Sequence, residues 1–140
     1  FKNDYLKVSK YIFKYDSKGN RIKLLYYDSD GKLTESLFGN SVYTHKYDFK
    51  NNLVETLMYD SKENLVEVYG ASRYNFKYDY RGNKIEKSEY NLKEELLNRY
   101  FYKYDDNNRE IENIYYDIDF KFGEIQKKPI RKEKTEYIEY

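Results

Sequence analysis

His45 is the only histidine among 140 residues, and there is no cysteine. The groups able to serve as base, nucleophile or metal ligand therefore reduce to one imidazole, some hydroxyls and many carboxylates. A triad needs a nucleophile within reach of a base that a third group orients. His45 stands instead where Phe13, Phe76 and Tyr102 stand in the neighbouring repeats, which predicts a stand-in for an aromatic on a sheet face. Asp28-Ser29-Asp30-Gly31 starts like a calcium loop, but the third ligand position and the distal Glu of an EF-hand are missing. The sequence has no Gly-rich phosphate loop, no paired cysteines and no His-Glu metal helix. The expectation is a chain that is no enzyme and takes no cofactor or metal.

The recurring carboxylates have a spacing of their own. Tyr15-Asp16, Tyr47-Asp48, Tyr78-Asp79 and Tyr104-Asp105 are preceded by Lys14, Lys46, Lys77 and Lys103, at steps of 32, 31 and 26 residues. Such a period marks a repeat architecture. A second tyrosine follows twelve residues after each first one, at Tyr27, Tyr59, Tyr90 and Tyr116. An Asp opening a turn accepts a hydrogen bond from the backbone two residues on and so favours chain reversal. That mechanical role is expected for Asp16, Asp48, Asp79 and Asp105, and equally for Asp28, Asp60 and Asp117.

The elements follow from the first unit. Tyr11 to Asp16 alternates aromatic and polar residues, Ser17-Lys18-Gly19-Asn20 supplies a turn, and Arg21 to Tyr27 is a second β-prone run, which together read as a hairpin. Pairing Asp16 with Arg21 puts Tyr15 opposite Ile22, Phe13 opposite Leu24 and Tyr11 opposite Tyr26, all on one face of the ribbon. At the second turn, Asp28 to Lys32, Gly31 fills the left-handed position of a three-residue loop and sets Tyr27 across from Leu33, on the face opposite Tyr15. Asn51-Asn52, Gly82-Asn83 and Asn107-Asn108 hold the first turn in the later units. At the second turn Glu63-Asn64 and Glu94-Glu95 replace Asp30-Gly31; Asn tolerates positive φ, whereas two glutamates predict a looser turn after Tyr90.

Units one and two insert Phe38 to Val42 and Tyr69 to Arg73 before the next hairpin, whereas unit three runs almost directly from Leu96 to Tyr100. Gly39 and Gly70 are expected as corners where the sheet bends. The reading is one all-β domain of tandem β-hairpin repeats forming a twisted antiparallel, partly single-layer sheet. Its units lie at about 11–42, 43–73, 74–99 and 100–125, flanked by edge strands in 1–10 and 126–140. Pro129, the only proline, places its basic surroundings in a loop or at an edge.

Composition narrows the function classes. Aromatic residues make up 20% of the chain and charged residues 36%, with twenty tyrosines, and a tyrosine ring buries while its hydroxyl stays wet. A formal net charge of +1 argues against a nucleic-acid partner or a membrane surface, and no apolar run approaches the ~20 residues of a membrane span. The chain opens at Phe1, which predicts a processed or excised product with any signal peptide or lipid anchor upstream.

Tyr15-Asp16-Ser17-Lys18-Gly19-Asn20-Arg21-Ile22, Tyr27-Asp28-Ser29-Asp30-Gly31-Lys32-Leu33 and Tyr78-Asp79-Tyr80-Arg81-Gly82-Asn83-Lys84-Ile85 resemble the Tyr-Asp repeats of the RHS/YD family, over about residues 11 to 125. In large RHS and teneurin-type proteins such repeats build a spiralling β-sheet closed into a hollow shell. The resemblance implies a noncatalytic scaffold in bacterial surface, secretion or toxin systems, although four units are too few to enclose a cargo. It brings no catalytic residues with it.

Three functions are therefore expected, in this order. The first is noncatalytic scaffolding or protein binding by an exported or surface-associated protein, with Tyr27, Tyr59, Tyr90 and Tyr116 as the candidate contact surface. The second is a toxin-neutralising immunity-type protein, which would place the chain in the cytoplasm or periplasm. The third is a carbohydrate-binding module that stacks tyrosines on glycans. Unpaired edge strands also predict self-association, with Lys2, Lys10, Lys132, Glu133 and Lys134 as the charges that would guard against it.

Overall fold

A computed structural model describes residues 7–117 and 131–137. Among these residues, nine strands form one antiparallel sheet in sequence order: β1 (Lys10–Tyr15), β2 (Arg21–Tyr27), β3 (Val42–Tyr47), β4 (Leu53–Tyr59), β5 (Arg73–Tyr78), β6 (Lys84–Tyr90), β7 (Leu96–Tyr104), β8 (Glu110–Asp117) and β9 (Arg131–Lys134). Every connection joins neighbours, so the sheet is a succession of hairpins, as the repeat implies. The turn expected after Asp117, the Pro129 segment, Lys2 and the strand patterns at the two extreme ends lie outside the described residues.

The first turn of each unit is a three-residue loop, closed in unit one between Asp16 and Asn20, rather than the four-residue one that pairing Asp16 with Arg21 implies. Asp16 exchanges backbone hydrogen bonds with Asn20 and Gly19, and its carboxylate accepts the amides of Lys18 and Asn20 at 2.9 and 2.8 Å. Capturing both amides closes the loop around Gly19, whose φ of +85° suits a residue without Cβ. The strand then resumes with a bulge. Tyr11 pairs with Tyr26 and Phe13 with Leu24 as expected, but Tyr15 pairs with Arg21 instead of Ile22. The same shift recurs at Tyr47, Tyr78 and Tyr104.

The second turn has the same geometry. Asp28 bonds Lys32 and Gly31 through the backbone, and Tyr27 bridges Leu33. In the later units the left-handed residue is Glu63 (φ 66°) and Glu94 (φ 63°), one position earlier than Asn64. The turn after Tyr90 keeps the full bond pattern, Asn91 to Glu95 at 3.1 Å and Glu94 to Asn91 at 3.1 Å, so it is no looser than the others. The Asn91 carboxamide takes the amides of Lys93 and Glu95 just as an aspartate would, and this holds glutamate in a left-handed conformation.

The insertions are loops rather than bends within a strand. Thr34 donates to the Tyr26 carbonyl and Tyr26 donates to Ser41, so residues 34 and 41 sit side by side along β2 while the chain between them leaves the sheet. Gly39 (φ +86°) closes a turn on Ser36, and Tyr69-Gly70, both at positive φ, form the tip between Val68 and Ala71. Unit three lacks this excursion: β7 runs unbroken from Leu96, with one bulge at Glu89/Tyr90. The apolar core lies where the loops are. Met58 is completely buried on the face of Tyr43, Leu25 and Val42 are buried opposite each other on the other face, and Val68, Ala71, Asn40, Ser41 and Ser72 are buried in and beside the loops.

Candidate binding surfaces

Strand pairing sorts the side chains onto two faces. One carries Tyr11, Phe13, Leu24, Tyr26, Tyr43, His45, Thr56, Met58, Tyr74, Phe76, Tyr100 and Tyr102, and the other carries a lane of charge. The aromatic face follows from the alternate residues of each strand that stand in register with the recurring aromatics. The charged face follows from the residues between them, because strand side chains alternate.

On the charged face the lysine before each Tyr-Asp pair meets a glutamate across its hairpin: Lys46 and Glu55 at 2.6 Å, Lys77 and Glu86 at 3.0 Å, Lys103 and Glu112 at 3.0 Å. Glu86 also takes Arg99 at 3.3 Å and the Ser88 hydroxyl at 2.9 Å, and Glu112 takes Lys132 at 3.4 Å. Burial is the largest single influence on Glu86 and pushes its pKa up, but Lys77, Ser88 and Arg99 together outweigh it and hold the carboxyl below its ordinary range. Glu112 is lowered first by Lys103, then by Lys132. The first hairpin breaks the rule, since Lys14 faces Lys23.

The recurring tyrosine also has a fixed partner. The Tyr47 hydroxyl donates to the Arg21 carbonyl at 2.9 Å, Tyr78 to Leu53 at 2.9 Å, Tyr104 to Lys84 at 2.9 Å and Tyr137 to Glu110 at 3.1 Å. Each acceptor lies just past the turn of the preceding hairpin, so the hydroxyl ties consecutive units together. Tyr137, just past β9, has the role that Tyr78 has at the end of β5; the pattern Thr135-Glu136-Tyr137 hid it because no aspartate follows. Asparagine amides make a second stitch along the turns, Asn20 to Asn51 at 3.1 Å and Asn83 to Asn108 at 2.9 Å.

The turn aspartates are fully occupied. The Asn20 side chain and then its amide hold Asp16 below the usual carboxylate range, and Asn64 does the same for Asp60. The backbone amide of Asn52 is the main cause at Asp48, and that of Arg109 at Asp105. At Asp79 burial pushes up and is outweighed by Asn83. Their neighbours Gly19, Gly31 and Gly82 hold the left-handed turn positions. No cluster of three or more metal-ligating side chains occurs among the described residues. His45 lies half-buried on the aromatic face, with Nδ1 3.0 Å from Thr56 Oγ1 and its ring parallel to Tyr43. Burial, followed by Arg21, lowers its pKa.

Tyr27, Tyr59, Tyr90 and Tyr116 share one end of the charged face and are all half-buried. Tyr27 and Tyr59 bridge Leu33 and Leu65 through the backbone, the Arg73 guanidinium sits 4.4 Å over the Tyr90 ring, and Tyr116 packs edge-on against Phe101 at 5.7 Å. The freely exposed rings lie elsewhere. Tyr11, Phe13 and Tyr15 form a stripe along β1, 61%, 38% and 57% exposed, with centroids 5.5 and 6.5 Å apart. Phe38 and Tyr69, at the tips of the two loops, pair at 5.3 Å, with Tyr69 84% exposed. An aromatic before a glycine in both insertions was the sequence signal for this pair.

Units three and four replace the loops with polar contacts on the aromatic face. Lys87 lies 4.6 and 5.1 Å over the Tyr74 and Tyr100 rings and 2.6 Å from Glu89, which accepts from Asn98 at 2.7 Å. Asn98 in turn accepts from the Tyr115 hydroxyl at 3.0 Å, and Tyr115 stacks on Tyr100 at 4.8 Å. Burial, then Glu89, pushes the Tyr100 hydroxyl up to about 12. Shallow crevices between successive turns complete the surface; one is lined by Asp16, Lys18, His45 and Asp48, another by Asp79, Arg81, Tyr102 and Asp106. No helix long and apolar enough to cross a membrane occurs among the described residues.

No protein-family model matches this chain, and no curated protein sequence matches it either.

Proposed function

We propose that the chain is a noncatalytic scaffold or protein-interaction domain. One observation carries the reading: the groups with chemical potential are spent on joining units, while the aromatics left exposed sit on rigid strands and turn-locked loop tips. Asp16, Asp48, Asp79 and Asp105 are engaged by their own turns, and Tyr47, Tyr78, Tyr104 and Tyr137 by backbone carbonyls. A rigid exposed ring is a good contact anchor because little side-chain entropy is lost when it is covered. The resemblance to RHS/YD repeats supports an exported or surface-associated bacterial setting.

The Phe38 and Tyr69 pair favours a second reading, a carbohydrate-binding module, since two neighbouring exposed rings suit the apolar face of a sugar. The experiment that separates these readings is capture with the immobilised chain from lysate and secreted fraction of its own source, with stoichiometry by light scattering. One saturable protein partner, lost in a Phe38→Ala/Tyr69→Ala variant or in a Tyr11→Ala/Phe13→Ala variant, is the expected result. If that partner is an enzyme toxin bound one-to-one, the immunity-type reading replaces the scaffold. Retention by polysaccharide with no protein captured moves the function to glycan binding.

A further inference from the structure

The repeat couples each even-numbered strand to the strand after it through a fixed set of groups, and β1 presents that set with no strand opposite it among the described residues. β4, β6 and β8 carry a glutamate at equivalent places, Glu55, Glu86 and Glu112. The following strand sets a cation diagonal to it: Arg99 at 3.3 Å from Glu86, Lys132 at 3.4 Å from Glu112, and Arg73 in the same register position beside Glu55, although its guanidinium pairs with Glu94. Two residues before the glutamate, a carbonyl accepts the tyrosine hydroxyl of that following strand. β2 is the informative exception. It has Lys23 where the others have glutamate, and β3 has Val42 where the others have the cation.

On β1 the cation position holds Lys10, and Tyr15 stands where Tyr47, Tyr78 and Tyr104 stand, with its hydroxyl making no hydrogen bond among the described residues. Lys14, whose counterparts pair with a glutamate in their own hairpin, faces Lys23. We propose that the free edge of β1 binds an acidic, extended strand of a partner polypeptide. The strand lies antiparallel with a glutamate opposite Ile12, between Lys10 and Lys14, and the carbonyl two residues before that glutamate accepts the Tyr15 hydroxyl. This deepens the interaction-domain reading and rests on it. Among the described residues a second copy of the chain does not fit: its β2, β4, β6 and β8 are paired on both sides, and β9, which has one neighbour, carries Lys132 and Lys134 on the face where the acid is needed.

The test uses the full chain and, as probe, a fluorescent peptide of residues 51–60, whose Glu55 and Leu53 carbonyl hold the required places. Anisotropy is expected to give saturable one-to-one binding, roughly tenfold weaker for the Glu55→Lys peptide, because two favourable diagonal charge contacts become repulsive. Lys10→Glu/Lys14→Glu in the chain is expected to reverse that order, and Tyr15→Phe to weaken the parent peptide a few-fold. All three positions are exposed, so folding survives substitution. Absence of saturable binding, equal binding of the two peptides, or an order unchanged by the charge swap would each overturn the proposal. Loss of peptide binding with partner capture intact removes only the β1 edge; peptide binding with no partner captured by any surface removes the scaffold reading instead.

Discussion

Units one and two and units three and four use one hairpin plan but are held together by different forces. In the first half the Val66 and Ser72 backbones flank Met58 through hydrogen bonds, and the buried set joins the apolar Leu25, Val42, Met58, Val68 and Ala71 to the uncharged Asn40, Ser41, Thr56 and Ser72. In the second half the loop is gone, and the buried side chains are Glu86, Ser88 and Glu112, surrounded by Lys77, Arg99, Lys103 and Lys132. The difference traces to five or six inserted residues, since the first two repeat steps are 32 and 31 residues and the third is 26. A single-layer sheet has no second layer to bury a strand against, so a short excursion of the chain must supply one. Where it does not, cross-strand charge takes over.

The largest way to break this comparison is Met58→Ala. Truncating a fully buried Met is expected to cost ~2–5 kcal/mol through lost transfer energy and the cavity left behind, seen as a lowered denaturant midpoint that added salt does not restore. Glu86→Ala in the other half is expected to cost about 1–3 kcal/mol, because Lys77, Arg99 and Ser88 lose a shared acceptor. This loss should shrink at ~0.5 M salt, where the ion pairs of the parent protein are screened. A Met58 variant that responds to salt as the Glu86 variant does would erase the distinction.

Tyr104→Phe sharpens it at the level of the stitch between units. Removing the hydroxyl leaves the Lys84 carbonyl without its donor, and about 0.5–1.5 kcal/mol is expected by urea titration. Tyr15→Phe should leave stability unchanged, since that hydroxyl holds no partner among the described residues.

Acid should act through two sets of groups. The pKa values of Glu86, Glu112, Asp16, Asp48, Asp60, Asp79 and Asp105 are depressed in the folded chain, so the unfolded chain takes up their protons first as pH falls. Their stabilisation is complete above the ordinary carboxylate pKa of ~4 and is lost as pH drops through the lower folded values. His45 is depressed as well, by burial, so its share is complete above ~6.5 and declines below that. The smallest effect is therefore expected from His45→Phe, the residue its counterparts Phe13 and Phe76 already show. Its melting temperature should match the parent at pH 8 and exceed it at pH 5.5.

Much of this was written in the repeat itself. The Tyr-Asp spacing placed eight of the nine strands and the order in which they pair, because consecutive hairpins leave few alternatives. Three features escaped for identifiable reasons. The bulge at Tyr15 follows from Asp16 capturing two amides, a choice between loop lengths that Gly19-Asn20 alone does not decide. Glu94 in a left-handed turn runs against residue preference and is held there by Asn91. The contacts of Tyr90 and Tyr116 depend on residues from adjacent strands, Arg73 over Tyr90 and Phe101 against Tyr116, that no single hairpin reveals.

Residue-resolved hydrogen exchange at low and high salt tests the account most directly. The amides of Met58 and Ser72, bonded to Ser72 and Tyr90, should be among the most protected and should hold their protection at ~0.5 M salt, while those of β7 and β8 lose part of theirs. Equal protection across the sheet, with one common response to salt, would contradict the division between a half held by its loops and a half held by its charges.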